Sequence, residues 1–384
     1  MTVRNHPPPH SLCQSPQLPP FAGRRRILKT PMPCQSRQSR LLSALLLACA
    51  AAWSLPCPGQ EALPAPPRVV LQLPTENRGL FDGRLSDFYQ VTISKRLQSG
   101  MYGFVRSNLP EPPPYFERFH EGIDIKPVRR DPSGRPLDPV HAAADGTVVF
   151  TNLRATASNY GLYVMIRHDY GALQAYTTYG HLASVRVKPG QAVRAGEPIG
   201  VLGWSGNVSS RSLAHLHFEF GFLLNRDFPA WYARFADKSD GPNEHGLYNG
   251  VNFLGIDPAR ILLESHRGTP PTVAELFARE KTTFRVRVPA RGRPLDFQKR
   301  FPFLTPGGFD GPAPASWEID CNRIGLPLRF RPSAEEVEAP ELAWFDESLS
   351  LQDSFTRGLV AKEQGSRVLT RNGKKWASLL SWPH

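Results

Sequence analysis

Three short motifs hold the side chains of this 384-residue chain best suited to chemistry. They are "HEGID" at 120–124, "YGHL" at 179–182 and "HLH" at 215–217. Imidazole nitrogens and carboxylate oxygens both bind zinc, at about 2.0–2.2 Å. On a strand, residues i, i+2 and i+4 share a face, so His120, Gly122 and Asp124 would point the same way, the glycine leaving open space between two ligand-type side chains. His215 and His217 would likewise share a face, with Leu216 and Phe218 turned to the core. Taken singly, "HEGID" also fits a capped turn and "HLH" a pair of exposed strand histidines. Three such motifs in one stretch argue for a metal centre. Thiolates are not available to it. Cys13, Cys34, Cys49 and Cys57 lie in the first 60 residues, leaving Cys321, so neither a disulfide framework nor a cysteine zinc site is expected.

The segments around these motifs read as strands. "GTVVFTN" is a short strand. "GLYVMIRHD" and "LQAYTTYGHL" are two β-rich runs with "YGA" between them, the pattern of a hairpin. In "VKPGQAVRAGEPIGVLGWSGN" glycines at 190, 196, 200, 203 and 206 punctuate short apolar pieces, as in a small, strongly bent sheet. "HLHFEFGF" closes the run as a strand. "SGMYGFVRSN" reads as a strand with turn residues at its ends, and "ENRGLFDGRLSDFYQ" as a mixed loop. Beyond 221, "DPARILLES" predicts a helix from Pro258 capped by Asp257, "TVAELFAREKT" has helical spacing and "TFRVRVPA" alternates as a strand. The fold class is mainly β: a small antiparallel, barrel-like sheet carrying the motifs, with a mixed α/β C-terminal portion.

"HEGID", "YGHL" and "HLHFE" together resemble the signature motifs of the LytM/lysostaphin-type zinc endopeptidases, which cut peptidoglycan cross-bridges. "VKPGQAVRAGEPIGVLGWSG" resembles that family's glycine-punctuated segment between the second and third motifs, and "DPVHAAADGTVVF" its segment after the first. The resemblance spans about residues 100–222. It implies that His120, Asp124 and His217 hold one zinc ion, and that His181 and His215 are catalytic. Three protein ligands leave a fourth position for water, as in catalytic zinc sites. No His-Glu-x-x-His helix is present, so a histidine is the expected base. Two segments depart from the family pattern: "GNVSSRSLAHLH" is longer and lacks a Gly-Pro, and "KPVRRDPSGRPLDPV" is expanded. Both are expected to border the groove and to bear on substrate preference.

Other polar residues read first as structural. His168 is expected at a strand end, in a turn or behind a ligand. His141, His245 and His266 have no partner spacing. Glu219 either orients His217 or is solvated, Tyr179 could line the groove, and Asn159 and Tyr160 suit a turn.

The net charge of +12 falls to +5 once residues 1–60, with seven Arg or Lys and no acidic residue, are set aside. No basic stripe is interleaved with aromatics, which argues against nucleic acid. Arg37 and Arg40 precede "LLSALLLACAAAW", the pattern of an export signal too short to span a bilayer comfortably. Met32 then offers an alternative start, and the mature chain is expected to begin between about residues 50 and 65. "LLAC" also fits a lipid-anchor signal, although the following "AAWSL" stays apolar. The expected organisation is a leader at 1–60, a lead-in segment at 61–115, a zinc endopeptidase domain at 116–265 and an extension of open role at 266–384. The expected protein is exported, periplasmic or envelope-associated, and acts on peptidoglycan peptides, with membrane contact only through the signal segment or a lipid anchor. Its oligomeric state is open. Two other readings remain: a non-catalytic wall-binding or hydrolase-activating protein on the same fold, and a secreted peptidase with protein substrates.

Overall fold

A computed structural model describes residues 65–92, 95–105, 119–309, 311–312, 314–350 and 353–383. The expected export signal, the alternative start and the lipid-anchor cysteine lie outside these residues. No helix among the described residues is long and apolar enough to cross a membrane.

Alternating apolar runs give nine antiparallel strands in one sheet. They are β1 (Ile123–Ile125), β2 (Pro139–His141), β3 (Gly146–Asn152), β4 (Leu162–Tyr170), β5 (Leu173–Val185), β6 (Ala192–Val193), β7 (Pro198–Leu202), β8 (Leu216–Leu223) and β9 (Phe253–Ile256). The main path runs β1-β8-β5-β4-β3-β6. β9 adds to β8, and β7 joins β5 to β2. The β4–β5 hairpin forms as its sequence predicts. Tyr170 pairs with Leu173, and Gly171 takes φ +65°, the left-handed conformation that a two-residue hairpin turn needs. β8 buries Leu216, Phe218, Phe220 and Phe222 completely, which fixes its register and turns His217 and Glu219 to the opposite face.

The C-terminal residues pack onto this sheet. The helix at Pro258–His266 begins with Asp257 accepting the Ala259 N–H, and the one at Val273–Ala278 with a Thr272/Glu275 capping box. β10 (Phe284–Pro289), β11 (Ser316–Cys321), β12 (Pro327–Ser333) and β13 (Glu341–Phe345) form a second antiparallel sheet in the order β12-β11-β10-β13. An aromatic column links the two sheets. Phe222 on β8 lies 4.6 Å from Phe277 and 5.6 Å from Phe301, and Phe297 reaches Phe330 on β12. Asn225, fully buried, donates to the carbonyls of Leu379 and Trp382. Residues 64–384 are accordingly one compact unit.

Four local expectations are corrected. "SGMYGFVRSN" is not a strand where it is described: Leu97–Gly100 is a 3-10 turn, and only Val105 bridges, to Phe119. "SDFYQ" includes a one-turn helix, Leu85–Phe88. Tyr179 does not line a groove. It is fully buried, and its hydroxyl accepts from the Ala143 N–H and the Thr177 hydroxyl. His168 is no turn residue either. It sits buried within β4, bonded to the Asp145 carbonyl and the Thr177 hydroxyl, so both ring nitrogens are committed to the core.

Candidate metal centre

The continuous strand expected for "HEGID" is shorter than the motif. Only Ile123–Ile125 pairs, with Asp124 directly opposite His217 on β8. Gly122 leaves no open space between ligands. A Cβ there would lie 2.4 Å from the Phe218 carbonyl oxygen, so the glycine lets the chain cross close against β8. The bend that results delivers His120 from beside the strand onto the same spot as Asp124.

There the three side chains converge. His120 Nε2 lies 3.0 Å from Asp124 Oδ1 and 3.3 Å from His217 Nδ1, and His217 Nδ1 lies 2.9 Å from Asp124 Oδ1. All three residues are buried, and together they form a donor cluster able to hold a metal ion. A tetrahedral ion with ligand bonds of about 2.0–2.2 Å separates its ligand atoms by about 3.3–3.6 Å. The triangle therefore needs to open by only a few tenths of an ångström. Two nitrogens and one oxygen, without thiolate, also match zinc's preferences, so the residues present fit the ion.

The far side of each ring is fixed. The Met101 carbonyl lies 2.8 Å from His120 Nδ1, and a carbonyl can only accept, so Nδ1 carries the hydrogen and Nε2 presents its lone pair. Glu219 Oε1 accepts from His217 Nε2 at 2.8 Å. The Tyr160 hydroxyl donates to the same oxygen at 2.6 Å, and the Tyr160 ring stacks on His217 with centroids 5.2 Å apart. A carboxylate behind a ligating histidine fixes its tautomer and raises its basicity. Burial would raise the Glu219 carboxyl, but its hydrogen bonds and the nearby positive charge outweigh that and keep it below the ordinary value. Burial also opposes the His217 cation. Asp124 and Glu219 outweigh it, and the imidazole rises to about 9. Below that pH, a metal ion binding through Nδ1 must displace a proton. Zinc affinity should therefore fall as the pH falls, with about one proton released per zinc at neutral pH. Titration calorimetry in buffers of different ionisation enthalpy measures this directly; zinc uptake with no proton release would contradict a protonated His217.

His181 and His215 stand beside the triad. His181 occurs where β5 carries one residue more than its partner β4, between the pairs Val164–Tyr179 and Leu162–Leu182, and it adopts φ +59°. A bulge of this kind re-aims a side chain that a regular strand would point elsewhere. The non-glycine left-handed backbone costs of order 1–2 kcal/mol, and the bond from the His181 N–H to the Tyr160 carbonyl at 2.7 Å holds it there. His181 Nδ1–H donates to the Ser205 carbonyl and His215 Nδ1–H to the Leu213 carbonyl, leaving both Nε2 atoms as acceptors. The two rings meet edge-on at 4.8 Å, and His215 Nε2 lies 3.4 Å from Asp124 Oδ1. Burial first, and then the neighbouring His215 and His217, push the His181 imidazole well below its ordinary value, so it is neutral at physiological pH.

The structure thus assembles all five residues singled out in the three motifs. It also adds some that sequence reasoning missed: Tyr160, placed in a turn, and the carbonyls of Met101, Ser205 and Leu213. It places Glu219 under His217 rather than in solvent. The two segments that depart from the family pattern touch each other. Arg211 donates to the Ser133 carbonyl, Arg130 to the Arg211 carbonyl, and the Arg211 guanidinium sits over Trp204. His245 bonds the Tyr163 hydroxyl and His266 stacks on Phe81.

Residues 118–226 match the family model described as Peptidase family M23. An "Uncharacterized metalloprotease" of Haemophilus influenzae is 39% identical over 103 residues, 27% of this chain and 18% of that protein. Peptidoglycan DD-endopeptidase ShyA of Vibrio cholerae is 40% identical over 81 residues, 21% of this chain and 17% of that protein. Among solved structures, the catalytic domain of lysostaphin from Staphylococcus simulans is 23% identical, with 36% of this chain and 83% of that one covered and a TM-score of 0.25. The chain spans less than a fifth of the length of these two curated relatives. The matched region carries all five residues of the centre.

Proposed function

We propose that this protein is an exported, zinc-dependent endopeptidase that hydrolyses peptide bonds in peptidoglycan cross-bridges or stem peptides. One observation carries the reading. Three ligand-type side chains converge, the far nitrogens of both histidines among them fixed, and two further imidazoles with their Nδ1–H groups tied to carbonyls stand beside them. The 40% identity to a peptidoglycan DD-endopeptidase over 81 residues supports the substrate class.

His120 Nε2, Asp124 Oδ1 and His217 Nδ1 would hold the ion. When bound, zinc supplies a Lewis acid for the scissile carbonyl and lowers the pKa of water toward ~7. The rest falls to the chain's own groups. Neutral His181, its Nδ1–H tied to Ser205, offers Nε2 to take the proton from the attacking water and to return it to the leaving amine. His215, with its Nε2 3.4 Å from Asp124 Oδ1, is the second imidazole at the site, and in its protonated form it would donate to the oxygen on which charge develops. Burial of the ligands keeps competing water from the base of the site.

The test is digestion of purified wall sacculi by the mature protein recovered from the cell envelope. Release of peptide ends that stops with chelator and resumes with zinc is the expected result, and the first residue of that protein should fall between about 50 and 65. Zinc binding without cleavage of sacculi would instead favour a non-catalytic wall-binding role. Cleavage of unfolded proteins but not of sacculi would favour a general peptidase. A cytosolic protein beginning at Met1 would remove the export claim.

A further inference from the structure

His120 is gripped on three sides by a short loop. Its N–H donates to the Phe104 carbonyl at 2.8 Å, its carbonyl accepts from the Gly103 N–H at 2.9 Å, and its Nδ1–H meets the Met101 carbonyl. That loop has little structure of its own: Leu97–Gly100 is a single 3-10 turn, and Val105 makes one bridge. Its outer side is held from more than two hundred residues further along the chain. Arg323, in the turn after β11, donates Nη2 to the Gly103 carbonyl at 2.9 Å and lays its guanidinium over Phe119 at 4.9 Å. Phe119 immediately precedes His120 and meets the Tyr102 ring edge-on at 5.3 Å. Tyr102 is itself tied by its hydroxyl to the Gly255 carbonyl. A second arginine reaches the same motif, with Arg357 pairing with Glu121 at 3.0 Å, in the bend between His120 and Asp124.

We propose that Arg323 and Arg357 are positioning residues for the His120 arm of the metal centre, so that the segment beyond residue 266 completes that centre rather than merely flanking it. This rests on the metal reading given above. The chemistry favours a positioning role. Arg323 Nε is buried without a partner, an unfavourable placement for a guanidinium. The Gly103 hydrogen bond, the Phe119 cation–π contact and a 3.7 Å pair with Asp353 offset that cost, and the first two are made only while the loop stays where it is. A metal ligand needs to be held within about 0.5 Å, and Arg323 supports the backbone that sets the His120 ring.

The test measures zinc affinity and the His120 ring in the full-length chain. Arg323→Ala should weaken zinc binding by about 10–100-fold, the range seen when support behind a ligand is removed. Arg357→Ala, whose ion pair is about one-third exposed, should fall at or below the lower end of that range. Arg323→Lys should recover part of the loss, because a cation still reaches Phe119. Arg367→Ala, which breaks a surface pair with Glu347 in the same segment, should leave affinity unchanged. Without added metal, nitrogen-15 spectra of wild type should show the His120 Nδ1–H held in its bond to the Met101 carbonyl, and Arg323→Ala should show that hydrogen in exchange. Wild-type zinc affinity in both alanine variants would overturn the proposal. A wild type that binds no zinc would sink the metal reading instead. Positioning would then be judged on the ring signal alone, and an unchanged His120 Nδ1–H signal in Arg323→Ala would refute it.

Discussion

Asp124→Ala is expected to lose more than about 100-fold in zinc affinity, since removing even the partners behind a ligand costs 10–100-fold. Asp124 is the hub of the cluster. Its Oδ1 lies 3.0 Å from His120 Nε2, 2.9 Å from His217 Nδ1 and 3.4 Å from His215 Nε2. It is also the only one of the three ligand residues that brings a negative charge to a divalent ion. Losing it removes one of the three proposed ligands and leaves two imidazoles, which cannot hold a catalytic zinc site alone. Asp124→Ala also opens a small gap in a buried position, so Asp124→Asn is the companion variant. It keeps the shape and a carbonyl oxygen while removing the charge, and its affinity should fall between the two. Metal analysis after mild chelation, with circular dichroism to confirm the fold, decides the matter. Full zinc occupancy in folded Asp124→Ala would mean that the ion sits elsewhere.

The five central side chains were legible because their chemistry is carried by residue type. His215 and His217 alternate with Leu216 and Phe218, which had to face the core, and the resemblance of the three motifs to the zinc endopeptidases supplied the division into ligands and catalytic residues. The hairpin of β4 and β5 and the caps at Asp257 and Thr272 were legible for a similar reason: turn glycines and capping side chains act within a few residues. What escaped acts through groups that sequence cannot mark. Any residue has a carbonyl, so nothing distinguishes Met101, Ser205 or Leu213 as the acceptors that fix three tautomers. Gly122 was noticed, but for the wrong reason, because the chain it makes room for is β8, nearly a hundred residues away. Tyr160 stayed in a turn because its partner Glu219 is 59 residues further on. Arg323 and Arg357 were invisible for the same reason. The bulge at His181 arises from a mismatch in length between β4 and β5, which neither strand shows alone.

That bulge gives the second large effect its particular form. His181→Ala should keep about one zinc per chain and its fold, and lose turnover by about 10²–10⁴-fold, the range for removing a general acid–base or charge-stabilising group. The three proposed ligand positions are filled without His181. Its Nδ1 is spent on the Ser205 carbonyl, and burial keeps the ring neutral, so Nε2 is poised to accept a proton rather than to carry one. Because the loss lies in the chemical step, kcat and kcat/KM should fall together while KM changes little. The backbone complicates the choice of substitution. At φ +59° the position favours glycine, asparagine, aspartate or histidine, and alanine gains nothing there. His181→Asn, at ease in that conformation, is therefore the cleaner test: it preserves the bulge and removes the proposed base. If either variant sheds zinc as readily as Asp124→Ala, His181 is a ligand and the division of roles is wrong. If His181→Asn keeps both zinc and full cleavage of sacculi, the proton must pass through His215, whose Nε2 already lies within 3.4 Å of the Asp124 carboxylate.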